Sequence, residues 1–405
     1  MGTSGAVVRI CLVYDCLFPH TVGGAERWYR SLAERLAADG HEVTYLTLRQ
    51  WDRGTPHGVA GVDVRVVGPR MELYSGPGQR RILPPVVFGT GVLWHLVRHG
   101  GRYDVVHTCS FPYFSLLAAA AAAPVWRYRI AVDWFEFWSR AYWQEYLGRV
   151  GGAVGWSVQR LCARVRQRAF CFSELYARRL REVGLRGEIT MLAGAYDGPL
   201  EPQRAVAAEP LVVFAGRHIP EKRVPAIVPA IARLRERLPA VRALILGDGP
   251  EREAVRRGVA DEGLADVIDI PGFVASEDVD VAIARAMCLL LPSRREGYGL
   301  VVVEAASHGT PSVVVAAEDN AAVELIEEGV NGFVAASDAP EDLAAAMWAV
   351  HEGGDTLRES TRAWFAVNAC RVSLARSQEL VLSAYGGPQG LADTPPASQP
   401  PSPAS

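Results

Sequence analysis

The chain has 405 residues, too many for one ordinary domain, and its 49% hydrophobic and 21% charged content describes a packed protein, not a disordered one. A formal net charge of -3 excludes a global basic field for nucleic acid. The 7 cysteines are scattered without a CxxC pair, which excludes a zinc ribbon or disulfide framework and fits a reducing cytoplasm.

Residues 7–14 form a continuous apolar run, as a parallel strand buried on both faces does. The run is too short for a signal peptide or a membrane span, and none is expected. A loop with Gly23 and Gly24 follows, then helical spacing over 25–38 with Trp28, Leu32 and Leu36 on one face. Gly40 ends that helix, and 41–48 reads as a second strand, completing a βαβ unit. Further strands are predicted at 63–67, 104–107, 127–133 and 169–172, with helices between them. Residues 193–209 have loop composition and no periodicity, which places a linker between an N-terminal domain (7–192) and a C-terminal one (210–355).

A second alternation starts at once. Strands are predicted at 211–215, 242–246, 267–270, 287–291 and 312–316, and helices at 223–237, 250–262, 278–286 and 299–308. Such βα alternation with short loops implies two tandem Rossmann-like, doubly wound parallel-sheet α/β domains facing across a cleft. Residues 356–385 read as C-terminal helices that pack back toward the N-terminal domain. Residues 386–405, rich in Pro, Ser and Ala, read as a disordered tail.

The chemistry concentrates at 292–311, where an apolar strand ends and a helix opens, the place where doubly wound sheets bind ligands. Gly297 and Gly299 let backbone approach a ligand closely, and the helix N-terminus behind them suits a phosphate. Glu296 and Glu304 flank this turn, as acceptors for sugar and ribose hydroxyls do. A second cluster, Arg217 and Lys222, follows the strand at 211–215 and can grip one diphosphate by a planar fork and a point charge. Among 42 Lys plus Arg, Lys222 is the one lysine in the chain. A surviving lysine at a strand-terminal loop points to selection for phosphate binding. The plain readings are a solvated loop charge for Glu296, an exposed helix residue for Glu304 and a solvated lysine for Lys222.

These residues resemble the motifs of the retaining glycosyltransferases of the GT-B fold, family 4 (glycosyltransferase group 1). The match runs from Arg9 to about Tyr385. E-x7-E stands at Glu296 and Glu304, the basic pair at Arg217 and Lys222, and the glycine loop with its helix at 22–47. PGFV (271–274), ILGDGP (245–250) and NAAVELIEEGVNGFVA (320–335) are similar to further family segments. The resemblance implies hexosyl-type transfer from a nucleotide-diphosphate sugar to a glycan, lipid-linked or small-molecule hydroxyl. No metal and no resident cofactor are implied.

By the same resemblance, Arg217 and Lys222 neutralise the donor diphosphate, Glu304 holds the ribose and Glu296 the transferred sugar. Amides of Tyr298, Gly299 and Leu300 cap phosphate oxygens; Gly272 and Phe273 border the base; Gly247 lies in the donor-binding loop before them; Gly23 and Gly24 approach the diphosphate on closure. The family pattern also has a histidine where this chain has Phe135, which leaves Asp133 or Glu136 to substitute for it. His107, Trp134, Phe135 and Trp138 are acceptor candidates, against structural roles as a strand-end histidine and core aromatics. The other enzyme reading is a GT-B nucleotide-sugar epimerase, and the non-enzyme reading is a donor-binding scaffold subunit.

Two patterns are read as decoys. Asp278 and Asp280 form a DxD at a predicted helix start, where acids favour the dipole. The arginine-rich run 160–168 reads as a solvated helix face. Residues 71–100 mix Arg80, Arg81 and Arg98 with apolar side chains up to Trp94, a composition that fits peripheral contact with anionic lipid at the inner face of the cell membrane.

Overall fold

The computed structural model describes residues 7–386 except 22, 53, 55–56, 74–79 and 193. The N-terminal half alternates β1 (Arg9–Val13), α1 (Gly24–Ala38), β2 (Glu42–Leu48), β3 (Val62–Gly68), α2 (Leu83–His99) and β4 (Val105–Cys109). It continues with α3 (Tyr113–Trp126), β5 (Arg129–Trp134), α4 (Arg140–Ala163), β6 (Gln167–Cys171), α5 (Glu174–Glu182) and β7 (Gly187–Met191). These strands form one parallel sheet, in the order β3-β2-β1-β4-β5-β6-β7.

The C-terminal half holds β8 (Leu211–Ala215), α6 (Ile227–Arg237), β9 (Arg242–Leu246), α7 (Arg252–Asp261), β10 (Ile268–Gly272), α8 (Ser276–Arg285) and β11 (Cys288–Leu291). Then come β12 (Arg295–Glu296), α9 (Leu300–Ser307), β13 (Ser312–Val315), β14 (Asp319–Asn320), β15 (Gly332–Ala335), α10 (Pro340–Asn368) and α11 (Leu374–Gly386). The main sheet runs β10-β9-β8-β11-β13-β15, all parallel, and β12 pairs with β14 apart from it. In both sheets the order reverses beside the first strand of the half, so each has a switch-point crevice at its carboxyl edge. Helices cover both faces, which is why β4, β11 and β13 are buried at every residue.

Several boundaries differ from the sequence reading for local reasons. The helix expected from 223 begins at Ile227, because Pro220 and Pro225 open two 3-10 turns before it. β7 and β15 were not among the expected strands; both are edge strands, half-exposed and flanked by glycines, so neither shows a clean apolar run. The last helical region opens at Pro340 and not at 356. Gly354, with φ 49 and ψ -137, kinks α10 beside the expected boundary.

Beyond α10 the chain returns to the first half. In α11, Val381 and Tyr385 are buried with Trp28, Tyr29 and Leu32 of α1, and Gln378 donates to Ser31 Oγ at 3.0 Å. The outgoing and returning segments lie side by side: Tyr196 N donates to Val372 O, and Leu374 N to Tyr196 O at 2.7 Å. The expected disordered tail lies outside the described residues from 387 onward. No helix among the described residues is long and apolar enough to cross a membrane.

Candidate active site

The carboxyl-edge loops of the two sheets face each other. Exposed Arg217, after β8, lies near enough to Glu26 of α1 for its charge to favour that carboxylate. Burial nevertheless holds the Glu26 carboxyl above its usual range. The Glu26 carboxylate rests on Gly23, where an added Cβ would meet Oε2 at 2.3 Å, while nothing lies within 4 Å of a Cβ on Gly24. The glycine loop and Arg217 therefore stand on opposite walls of one cleft.

The basic loop is bent into place by its prolines and by backbone bonds from His218 N to Asp248 O (2.8 Å) and from Glu251 N to His218 O (2.9 Å). These turn the His218 ring inward, where it is fully buried, and bring Lys222 out to the cleft. There the Lys222 ammonium bonds the Glu296 Oε1. Glu296 is 7% exposed and sits on β12, whose pairing with Asn320 of β14 fixes its backbone. Asn320 in turn donates to Ser293 O (3.0 Å) and Val315 O (2.8 Å), and the Tyr176 hydroxyl donates to Glu296 O (3.2 Å).

Gly299, at φ 96, is the N-cap of α9, and a Cβ there would come within 2.7 Å of Ala322. No side chain caps this helix, so its first amides stay available beside Tyr298 and Leu300. One turn on, Glu304 is partly buried, and its carboxylate forms no hydrogen bond or ion pair with a described residue. Burial raises its carboxyl above the usual range, Asp280 adds to this and Arg27 opposes it. Gly247, at φ 109, lies so close to Gly216 that a Cβ would meet its carbonyl at 2.0 Å. Gly272 ends β10, and the Phe273 ring beside it is 78% exposed.

The structure thus brings Arg217, Lys222, Gly247, Gly272, Phe273, Glu296, Gly297, Tyr298, Gly299, Leu300 and Glu304 to one sheet edge. The N-terminal candidates are divided. Asp133 is fully buried, accepts from Trp28 Nε1 at 2.7 Å and lies 3.1 Å from His107 Nε2. His107 is also fully buried, with Nδ1 on the Tyr385 hydroxyl. Trp134 is fully buried and donates to Gln167 Oε1 at 2.8 Å. These three side chains belong to the core, which corrects the expectation that they face donor or acceptor.

Phe135 does reach the seam between the halves. Its ring stacks on Phe172 at 5.2 Å, and a Cβ on Gly297 would come within 2.9 Å of its carbonyl oxygen. Glu136 accepts from Trp138 Nε1 at 2.7 Å and pairs with Arg295 at 3.4 Å. The Arg295 guanidinium lies over both Trp138 (4.6 Å) and Tyr142 (4.2 Å) and reaches Glu221 at 3.5 Å. Burial would push Glu221 up, but the Tyr142 hydroxyl and Arg295 hold it below its usual range. Arg179 pairs with Asp319, and Glu324 accepts from the N-terminal amides Glu174 N (2.8 Å) and Leu175 N (2.6 Å) of α5.

Sequence reasoning missed Tyr176, Arg179, Glu221, Arg295 and Asn320. Asn320 opens a segment already singled out at 320–335, and Arg295 precedes Glu296 directly. Glu221 likewise precedes Lys222 directly, and Tyr176 and Arg179 carry no local signal. Among the described residues no group of three His, Cys, Asp or Glu side chains is placed to hold a metal, and Asp278 lies in the first turn of α8.

Residues 22–197 match the family model described as Glycosyltransferase Family 4, and residues 209–352 the model described as Glycosyl transferases group 1. An alpha-D-kanosaminyltransferase of Streptomyces kanamyceticus is 32% identical over 158 residues, covering 37% of this chain and 40% of that protein. A GDP-mannose-dependent alpha-(1-6)-phosphatidylinositol monomannoside mannosyltransferase of Mycobacterium tuberculosis is 28% identical over 155 residues, 36% of this chain and 40% of that protein. The chain thus spans about 40% of the length of these curated relatives.

Sucrose-phosphate synthase from Thermosynechococcus elongatus superposes with a TM-score of 0.74 at 18% identity, over 93% of this chain and 98% of that one. Anabaena HepE in complex with UDP-glucose gives 0.69 at 19% identity, over 93% and 99%. Two facing Rossmann-like domains, each half matched by its own family model, make this chain a member of the group 1, family 4 glycosyltransferases of the GT-B fold.

Proposed function

We propose that this chain transfers a hexosyl-type sugar from a nucleotide-diphosphate sugar to a hydroxyl group, with retention of anomeric configuration and without a metal ion. The observation that carries this reading is the Lys222–Glu296 ion pair at the cleft wall, beside Arg217, an uncapped helix N-terminus and the unpaired Glu304. A diphosphate draws the Lys222 ammonium away from Glu296. The freed carboxylate then accepts from hydroxyls of the transferred sugar, and Glu304 accepts from the ribose.

In the reacting step the bond from the anomeric carbon to the leaving phosphate oxygen breaks. The acceptor oxygen attaches on the same face, and its proton passes to that phosphate oxygen. Arg217, Lys222 and the α9 amides stabilise the growing charge, each well-aimed donor contributing about 3–4 kcal/mol.

The relatives' names span a free aminocyclitol, in the 2-deoxystreptamine glucosyltransferase, and a lipid-linked acceptor, in the phosphatidylinositol mannoside enzyme. Both classes suit a cleft whose N-terminal wall carries Phe135 and Trp138. On helix α2 the exposed Leu83, Trp94 and Val97, with Arg98 over the Trp94 ring at 3.0 Å, fit peripheral contact with an anionic membrane from the cytoplasmic side. Neither the epimerase nor the scaffold reading is favoured by the relatives.

A thermal-shift panel of UDP, GDP, ADP and dTDP tests the proposal. One nucleotide is expected to stabilise the wild type by several degrees, and Lys222→Ala to lose that shift with about a 100-fold fall in kcat/KM. Stabilisation by none of the four would overturn the donor site.

A further inference from the structure

On the amino edge of the N-terminal sheet, opposite the candidate active site, a cavity of about 1190 Å³ opens at the starts of β4, β5, β6 and β7. Arg127, Arg129, Arg164, Arg166, Arg168 and Arg186 line it. The one carboxylate lining it, Glu188, pairs with Arg168 at 2.5 Å. The side chains of Arg127, Arg164, Arg166 and Arg186 form no ion pair or hydrogen bond with a described residue. The 160–168 run is therefore not the solvated helix face expected from sequence: α4 ends at Ala163, Arg164 is its C-cap, Arg166 stands in the turn and Arg168 on β6.

Ordinary structural roles do not account for this gathering. A cation at a helix C-terminus gains about 0.3–1 kcal/mol, which explains one arginine each for α3 and α4 but not Arg166 or Arg186. Arg127 itself sits at φ 57, a left-handed conformation that costs a non-glycine residue roughly 1–2 kcal/mol and that Gly or Asn usually takes. The whole chain carries a net charge of -3, so several guanidiniums converging on one cavity are an exception to its own surface.

We propose that this cavity binds a compact polyanion bearing several phosphate groups. Guanidinium forks match phosphate oxygens, and the volume exceeds what one phosphate fills. Phosphate brings close to two charges per group, which is the density that several unpaired arginines require. The two aromatic residues of the lining, Tyr128 and Tyr385, are buried, so there is no exposed ring on which bases of a single-stranded nucleic acid would stack. This inference stands apart from the donor reading, because the cavity lies at the amino edge of the N-terminal sheet and the candidate active site in the cleft at its carboxyl edge.

Calorimetric titration with tripolyphosphate tests it on the full chain. Wild type and Lys222→Ala are expected to bind alike, while Arg164→Ser/Arg166→Ser weakens binding at least about tenfold, the loss of one or two charge-assisted contacts. Both side chains are exposed, so the melting temperature of that variant should hold; Arg186→Ser gives a second, single-site check with a smaller loss in the same direction. Sedimentation with phosphatidylglycerol vesicles, against phosphatidylcholine, separates the sources. Retention that the double variant abolishes assigns the phosphates to lipid headgroups, and tripolyphosphate binding without retention assigns them to a soluble ligand. Binding lost in Lys222→Ala but kept in the double variant would place tripolyphosphate at the donor site and overturn the proposal. Absence of binding to either probe by the wild type would do the same.

Discussion

The Glu304 carboxylate lies partly buried, without a hydrogen-bond or ion-pair partner among the described residues, beside the acid Asp280 and within reach of the charge on Arg27. Its raised carboxyl pKa has a consequence for stability. The folded chain holds this proton more tightly than the unfolded one, so the contribution is present below the ordinary value of 4.5 and is lost as pH rises through the higher folded value. Glu304→Gln should therefore raise the melting temperature by about 1–2 °C at pH 7, and the difference should vanish near pH 4 by scanning calorimetry. The same variant should weaken nucleotide binding, since an amide accepts ribose hydroxyls less well than a carboxylate. A variant that melts earlier at pH 7 would show that Glu304 has a stabilising partner. Asp133 makes the contrast clear, because it is a carboxylate at a strand end as Glu296 is near the end of β11. Its partners Trp28 and His107 make it part of the packing.

Among the elements, α10 does the most to hold the C-terminal half together. It packs on α6, β15 and α9, and through Arg358 it closes the end of α8. Arg358 is 7% exposed and donates to Ala286 O at 2.6 Å and Ala284 O at 2.9 Å, capping carbonyls at that helix end. Hydrogen bonds from a charged group contribute about 1.5–3 kcal/mol, and Arg358→Ala also leaves the carbonyls buried. We expect a loss of about 3 kcal/mol in urea unfolding of the C-terminal half, with nucleotide selectivity unchanged. A loss below about 0.5 kcal/mol would mean that water replaces the guanidinium without cost. The sequence reading places helices from 356, whereas α10 opens at Pro340 and the chain only kinks at Gly354.

For the whole molecule, the seam between the halves is built from charge and aromatic surface. Arg295 is held between Trp138 and Tyr142, Arg179 reaches Asp319, and Glu324 caps the N-terminus of α5 in the other half. Because the capping carboxylate comes from the partner half, it contributes about 0.5–2 kcal/mol only while the halves are closed. Arg179→Ala combined with Glu324→Ala should shift the chain toward an open arrangement. Small-angle scattering should then give a larger radius of gyration, and proteolysis in 194–209 should be faster. High salt should move the wild type in the same direction, since exposed parts of the seam are screened. Unchanged scattering in the double variant would show that the aromatic contacts suffice for closure.

The sequence by itself determined the two βα alternations, the strand-end loops and the residues at the C-terminal sheet edge. Each rests on local signals: an apolar run that a two-faced strand requires, and glycines and charges within a few positions of its end. Lys222 and Glu296, 74 positions apart, were both legible because each follows its own strand onto the same carboxyl edge. Tertiary structure alone decided which polar residues face the cleft. His107 is buried because α11 returns from the far end of the chain and sets Tyr385 on it, and Asp133 because Trp28 of α1 and His107 enclose it, packing events without any trace near either residue. The arginine run at 160–168 reads as a solvated helix face in sequence, and only the end of α4 and the starts of β5 to β7 place Arg164, Arg166 and Arg168 around one cavity. Periodicity reports the face of an element; what covers that face depends on segments hundreds of residues distant.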